Sequence, residues 1–229
     1  MRLKTLGAAF LILLGVVAVP ATASAATIGF TCLTNNTGTC GTYDDFFTGT
    51  VTVSGNQLTA LISNGAGGSI TGVYVDAPGT GADYSLTSLV ENPDPSVNFT
   101  IEASGVLPAA NLANPAFVTE FRATSNSGQP GVPANGANFG EQIGLVFTLS
   151  QSLTQQQIDA ALADGSLRFG LHVQGLPCDL SQPGITCQST SESMISTFQQ
   201  TSTVPEPASM VLLGTGLLAA ARARRRKVS

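Results

Sequence analysis

Tryptophan is absent, histidine occurs once, and charged residues make up only 10% of the 229. With His172 the sole imidazole, metal sites built from several histidines are excluded. A Ser-His-Asp triad would have to use His172, and no G-x-S-x-G elbow accompanies it. Sugar-stacking platforms are restricted to Tyr43, Tyr74 and Tyr84, and most of the 11 Phe are expected in a core. The low charge, with 25 Gly and 12 Pro, argues against a coiled coil and against a charged disordered chain. Basic residues are scarcest of all in the middle. Between Ala26 and Thr203 there are only Arg122 and Arg168, no lysine, and thirteen acidic residues, a net charge of −11. Such a surface repels phosphate backbones, so no nucleic-acid partner is expected.

The two ends have a different composition. Met1-Arg-Leu-Lys4 is a short basic head, Leu6–Val19 is uncharged, Pro20 breaks the run, and Ala23 and Ala25 are the small residues of an A-x-A site. This is the order of a secretory signal peptide, spanning residues 1–25. The apolar run is short of the roughly 20 residues that a comfortable membrane span needs.

At the other end, Val204-Pro-Glu-Pro207 precedes an uncharged apolar run, Ala208–Ala221, closed by Arg222, Arg224, Arg225, Arg226 and Lys227. Fourteen helical residues at ~1.5 Å each reach about 21 Å, less than a ~30 Å hydrocarbon core, although arginine stems extend the reach. The cations hold their side in the cytoplasm, so the body lies outside. The order of Pro205, Glu206 and Pro207, the apolar run and the basic end resembles the PEP-CTERM sorting signal of Gram-negative bacteria. The resemblance implies an exosortase, an integral-membrane transpeptidase-like enzyme, as partner. It also implies transient inner-membrane insertion through residues 204–229, removal of the tail, and delivery of the body to the cell surface or exopolysaccharide matrix.

The 178 residues from Ala26 to Thr203 suffice for one domain with its own core. Alternation of apolar and polar residues predicts ten short strands: Ile28–Leu33, Phe47–Ser54, Gln57–Ser63, Ile70–Val75, Tyr84–Val90, Val97–Ala103, Phe117–Ala123, Gln142–Leu149, Leu167–Gln174 and Ser193–Phe198. Ser54-Gly55-Asn56 marks a hairpin between two of them. Gly, Pro and Asn clusters punctuate the rest. One helix is expected after Thr154-Gln-Gln-Gln157, a capping box, with Ile158, Ala161 and Leu162 facing inward and Gly165 ending it. The fold class is therefore all-β, a β-sandwich or jelly roll with one short helix plugging an end. The stretches Phe30–Asn36, Phe139–Phe147 and Leu162–Gly175 also resemble ectodomains that stand in front of PEP-CTERM signals, which supports the β-sandwich and adds no catalytic residue.

Four cysteines in an exported chain point to two disulfides with three possible connectivities, of which local pairing, Cys32 with Cys40 and Cys178 with Cys187, is favoured over bridges joining the two ends. Zinc is the alternative, but C-x7-C and C-x8-C are wide spacings for it. Among carboxylates, Asp44-Asp45 is placed in a loop, because adjacent strand residues point to opposite faces. Asp159 and Asp164 are placed on the solvated side of the helix. Asp76 and Asp83 flank a Gly-Pro loop and are the weak candidates for a shared Ca2+, though no D-x-D-x-D-G pattern accompanies them. His172 is expected as a half-exposed strand residue bonded to a neighbouring loop.

These residues imply no catalytic constellation and no cofactor. The function expected is that of an exported, non-enzymatic surface or matrix protein processed by an exosortase-type system. The alternative is a Ca2+-assisted glycan-binding module around Asp76, Asp83 and nearby tyrosines. Less favoured are an ice-binding protein, for which Thr48, Thr50 and Thr52 form only a short set, and a secreted hydrolase.

Overall fold

The alternation in the middle of the chain builds ten antiparallel strands. In this computed structural model, residues 25–78, 84–92, 97–126, 135–177 and 191–199 are described. The strands are β1 (Ala26–Cys32), β2 (Phe47–Ser54), β3 (Gln57–Asn64), β4 (Ser69–Asp76), β5 (Tyr84–Asn92), β6 (Phe99–Glu102), β7 (Phe121–Ser125), β8 (Gln142–Leu149), β9 (Arg168–Gln174) and β10 (Glu192–Gln199). They form one continuous sheet in the order β5-β8-β3-β2-β1-β10-β9-β4-β7-β6. The all-β class holds, but the expected layers are not separate sheets. A single hydrogen-bonded ladder links every strand, from edge β5 to edge β6.

The sheet curls so that strands next to its opposite edges share one core. Phe147 of β8 meets Tyr84 of β5 with ring centroids 6.1 Å apart and Phe121 of β7 at 5.4 Å, both edge to face. Period-two alternation decides what points inward. On β3, Leu58, Ala60 and Ile62 are buried; on β2, Thr50 and Thr52 are exposed while Val51 is buried. Phe30, Phe47, Phe147 and Phe169 are among the largest fully buried side chains. Each such burial contributes ~1.5–3 kcal/mol.

Local chemistry sets the connections. Ser54 pairs with Gln57 across the β2–β3 turn, and Gly55 supplies its positive φ of 61°. Helix α1 (Gln155–Asp164) begins with the expected capping box: the Thr154 hydroxyl accepts from Gln157 N–H, and the Gln157 side chain accepts from Thr154 N–H. Gly165, at φ 78°, terminates the helix, whose Ile158, Ala161 and Leu162 are buried. Among the described residues, no helix is long and apolar enough to cross a membrane. These residues fall in one compact unit, Ser24–Thr203.

One expected strand is displaced. The stretch Phe117–Ala123 was expected to be extended throughout, yet β7 begins at Phe121. Residues 103–120 instead cross the outer face of β9 and β4 as a strap, pinned by side chains described next.

Candidate functional site

The outer face of the sheet carries a buried ion pair, Arg168 with Asp76. Along β9, Phe169, Leu171 and Val173 join the main core, so Arg168, Gly170 and His172 fall on the opposite face. On β4, Val73 and Val75 point inward and Tyr74 and Asp76 outward. A second small apolar cluster, Tyr74, Leu107, Ala113 and Phe117, lies under the strap. Gly170 is what lets the strap approach: a Cβ there would stand 2.7 Å from a Leu107 methyl and 3.2 Å from the Phe117 ring.

The two arginines of the body hold the strap at both ends. Arg168 pairs with Asp76, both side chains being nearly or fully buried. Its Nη1 donates to the Pro115 carbonyl at 2.6 Å and its Nη2 to that of Ala116 at 2.8 Å. Its guanidinium lies 5.4 Å from the Phe117 ring centre, and Asp76 Oδ2 also accepts from Val118 N–H at 3.0 Å. At the other end, Arg122 Nη1 donates to the Ser104 carbonyl at 2.7 Å and lies 3.3 Å from Glu102. Its guanidinium covers the Tyr74 ring at 5.7 Å. Burial raises the Tyr74 pKa, opposed by the adjacent Arg122.

Asp76, expected as a calcium ligand, therefore has its Oδ2 committed to Arg168 and Val118. Asp83 lies outside the described residues, so the pair itself is not placed. Among the described residues, no group of three His, Cys, Asp or Glu side chains is arranged to hold a metal ion.

His172 is half-buried on the outer face, as alternation required. Its partner is on a strand and not on a loop: Nδ1 lies 3.3 Å from the Thr71 hydroxyl, at the irregular register between Ile70 and Gly72. Its pKa is lowered, first by burial and then by the positive charge of Arg122.

The Cys32–Cys40 bridge is formed, with Cα atoms 5.9 Å apart. Cys178 and Cys187 lie outside the described residues. The loop closed by Cys32 and Cys40 is clasped to β10 through Glu192, a buried carboxylate that the sequence did not single out. Glu192 accepts from the Thr34 hydroxyl at 2.5 Å and from both N–H and hydroxyl of Thr37, at 2.6 and 2.7 Å. The Asn- and Thr-rich composition of residues 34–39 was the available signal. The loop placement of Asp44 and Asp45 holds: Asp44 accepts from Cys32 N–H at 3.2 Å, and Asp45 from the Gln199 amide at 2.7 Å.

Open clefts flank this framework. One of about 420 Å3 lies at the seam between β5 and β6–β7, lined by Leu86, Ile101, Glu102, Glu120, Phe121 and Arg122. A larger one, about 550 Å3, lies where the C-terminal turn of α1 approaches the end of β1, β10 and residues 112–115.

Pro205, Glu206, Pro207 and the basic residues Arg222, Arg224, Arg225, Arg226 and Lys227 lie outside the described residues, as does the expected signal peptide. Residues 203–227 match the family model for the PEP-CTERM protein-sorting motif. No curated protein and no solved structure is significantly similar to the chain.

Proposed function

From a chain that carries a PEP-CTERM sorting motif at residues 203–227, and is thereby a secreted protein sorted by an exosortase, we propose a non-enzymatic protein of the cell surface or exopolysaccharide matrix. In this reading the tail is a temporary inner-membrane anchor, and the body is the part delivered. The motif match is the observation that carries it. The run Ala208–Ala221 is too short for a comfortable permanent span. Charges cost several kcal/mol at the bilayer centre, so Arg222–Lys227 stops translocation and leaves Pro205-Glu-Pro207 outside the hydrocarbon. Proline lacks a backbone N–H and discourages helix before it, which keeps the triplet extended for a membrane-embedded processing enzyme.

The non-enzymatic part rests on the chemistry of the body. His172 is turned to a threonine hydroxyl, and the buried carboxylates Asp76 and Glu192 are bound to Arg168 and to threonines. These are groups that hold a scaffold together.

Mass analysis of the C-terminal peptide of surface protein tests the sorting. The expected result is loss of Arg222–Ser229. Replacing Pro205, Glu206 and Pro207 with Ala is expected to leave a full-length, membrane-bound form. Replacing Arg222, Arg224, Arg225, Arg226 and Lys227 with Gln is expected to weaken retention and lower processing. Mature surface protein that still carries Arg222–Ser229 overturns the proposal.

A further inference from the structure

The chain enters and leaves its sheet at one end. Strand β1 begins at Ala26 and β10 ends at Gln199, and the two are antiparallel neighbours with Thr27 opposite Gln199. The other end of the same pair, with Cys32 opposite Met194, carries the disulfide loop. Helix α1 stands at the first end. Gln155 holds the β2 backbone there, donating to the Val51 carbonyl at 3.0 Å and accepting from Val53 N–H at 3.1 Å, and Val51 is the residue paired with Ala26. The last turn of α1 shares the 550 Å3 cleft with Thr197 and Phe198 of β10.

Only five residues, 200–204, separate Gln199 from Pro205. The six Cα–Cα steps between them reach at most about 20–22 Å. An enzyme that grips Pro205-Glu-Pro207 therefore works closer to this end of the sheet than the ~30 Å diameter of a small domain, and α1 is the surface it meets. We propose that the outer face of α1 is a docking surface for the exosortase, with the cleft beside Asp164 receiving a basic side chain of the enzyme. This rests on the sorting reading given above.

The chemistry of the helix names the partner. Its exposed face is Gln156, Ala160, Ala163 and Asp164, at the i, i+4, i+7 and i+8 spacing of one side. The two alanines leave room for close approach. A small cleft of about 240 Å3 opens beside them, lined by Leu153, Gln157, Ala160 and Asp164 with others. That is below the ~300–1,000 Å3 of a usual small-molecule site and suits a single side chain. No basic residue stands in the last turn of α1, so the negative partial charge of the helix C-terminus is uncompensated. Asp164 is exposed, and hydrogen bonding from Ser166 holds its carboxyl below the usual range, so it stays ionised. Leu153 offers apolar surface to a lysine or arginine stem. The net charge of −11 between Ala26 and Thr203 favours a basic partner at longer range and repels an anionic lipid surface. A second copy of the body brings only Arg122 and Arg168, both engaged within their own chain.

Pulse-labelling of the full-length chain in its exporting cell, read by the size shift on tail removal, tests the proposal. Ala160→Arg and Asp164→Lys put cations at exposed positions of α1. Each is expected to slow tail removal about fivefold, the effect of one polar contact of ordinary strength. Gly41→Arg puts the same charge at the opposite end, where a Cβ meets nothing within 4 Å, and is expected to leave the rate unchanged. All three are expected to melt with the wild type. Inserting about ten Gly and Ser residues after Gln199 gives a longer, flexible tether and is expected to bring the wild-type and Ala160→Arg rates together. Unchanged rates in both α1 variants, equal slowing by Gly41→Arg, or slowing that persists on the longer tether overturns the proposal. Failure of the sorting reading shows separately, as wild-type protein that is never shortened, and takes this proposal with it.

Discussion

Replacing Arg168 with Met tests whether the strap is held by the buried ion pair or merely rests on its apolar residues. Methionine keeps most of the stem volume and removes the guanidinium. Asp76, fully buried, then retains only the Val118 N–H as a partner for Oδ2. The carbonyls of Pro115 and Ala116 lose their donors at the same time. Breaking a buried pair from one side costs about 3–5 kcal/mol, because the remaining charge is stranded away from water. For a unit of this size, 1 kcal/mol moves the melting temperature by ~2–4 °C, so a fall of roughly 10–15 °C is expected. Asp76→Asn in the same chain removes the stranded charge and still offers Val118 an acceptor. The double variant should therefore be more stable than the sum of the two single losses predicts, by about 2 kcal/mol or more. Urea unfolding of the four proteins measures this coupling. Limited digestion with a protease that cuts beside apolar residues reads the strap directly, since Val106, Leu112 and Val118 are exposed on it. A loss below ~1 kcal/mol for Arg168→Met, or strict additivity with Asp76→Asn, would refute the account.

Three further outcomes follow from the same structure. Cys32→Ser with Cys40→Ser removes a bridge of sequence separation 8; the protein should still fold but lose about 2–3 kcal/mol by urea unfolding, and an unchanged midpoint refutes the loop-entropy argument. Gly170→Ala pushes a Cβ into Leu107 and should cost about 1–3 kcal/mol while speeding cleavage within residues 103–120; equal cleavage rates would show that the strap does not depend on this close approach. His172 has a lowered pKa in the folded protein, so its contribution is complete above the ordinary histidine value of about 6.5. As pH falls below that value, the unfolded chain takes up a proton first and stability drops. His172→Gln should flatten this part of the pH profile, and an identical profile would sink the assignment.

Much of the fold was legible because the signals were local. The limits of β2 and β8 were foreseen, since Phe47–Ser54 and Gln142–Leu149 alternate cleanly between turn residues. The helix was legible from Thr154 and Gln157, whose side-chain bonds span only three residues. What could not be read depends on distant partners. Phe117–Ala123 has a strand pattern, but its first residues do not join the ladder. The Val118 N–H goes to Asp76 and the carbonyls of Pro115 and Ala116 go to Arg168, so side chains take the groups and fix the path. Asp76 beside a Gly-Pro loop suggests a solvent-facing ligand until Arg168, 92 residues away, is placed against it. Glu192 could not be matched to the Thr-rich loop from sequence because its donors, Thr34 and Thr37, lie more than 150 residues earlier. The cleft beside α1 was invisible for the same reason, being assembled from four separate stretches of chain.

The position of β10 gives the sheet a keystone. The last strand in sequence sits near the middle in space, pairing with β1 on one side and β9 on the other, with Thr27 opposite Gln199. A chain that emerges N-terminus first can assemble β5-β8-β3-β2-β1 and β9-β4-β7-β6 as two partial arrays. It cannot join them until Glu192–Gln199 arrives. Before that moment β1 and β9 each present an unpaired edge, the condition under which strands recruit wrong partners. The clasp on Glu192 is also missing until then, so the Cys32–Cys40 loop lacks its bonds from Thr34 and Thr37 to β10. Joining of the two arrays is thus a terminal event, timed by delivery of the final strand. A chain truncated between β9 and β10 would be left as two unjoined half-arrays.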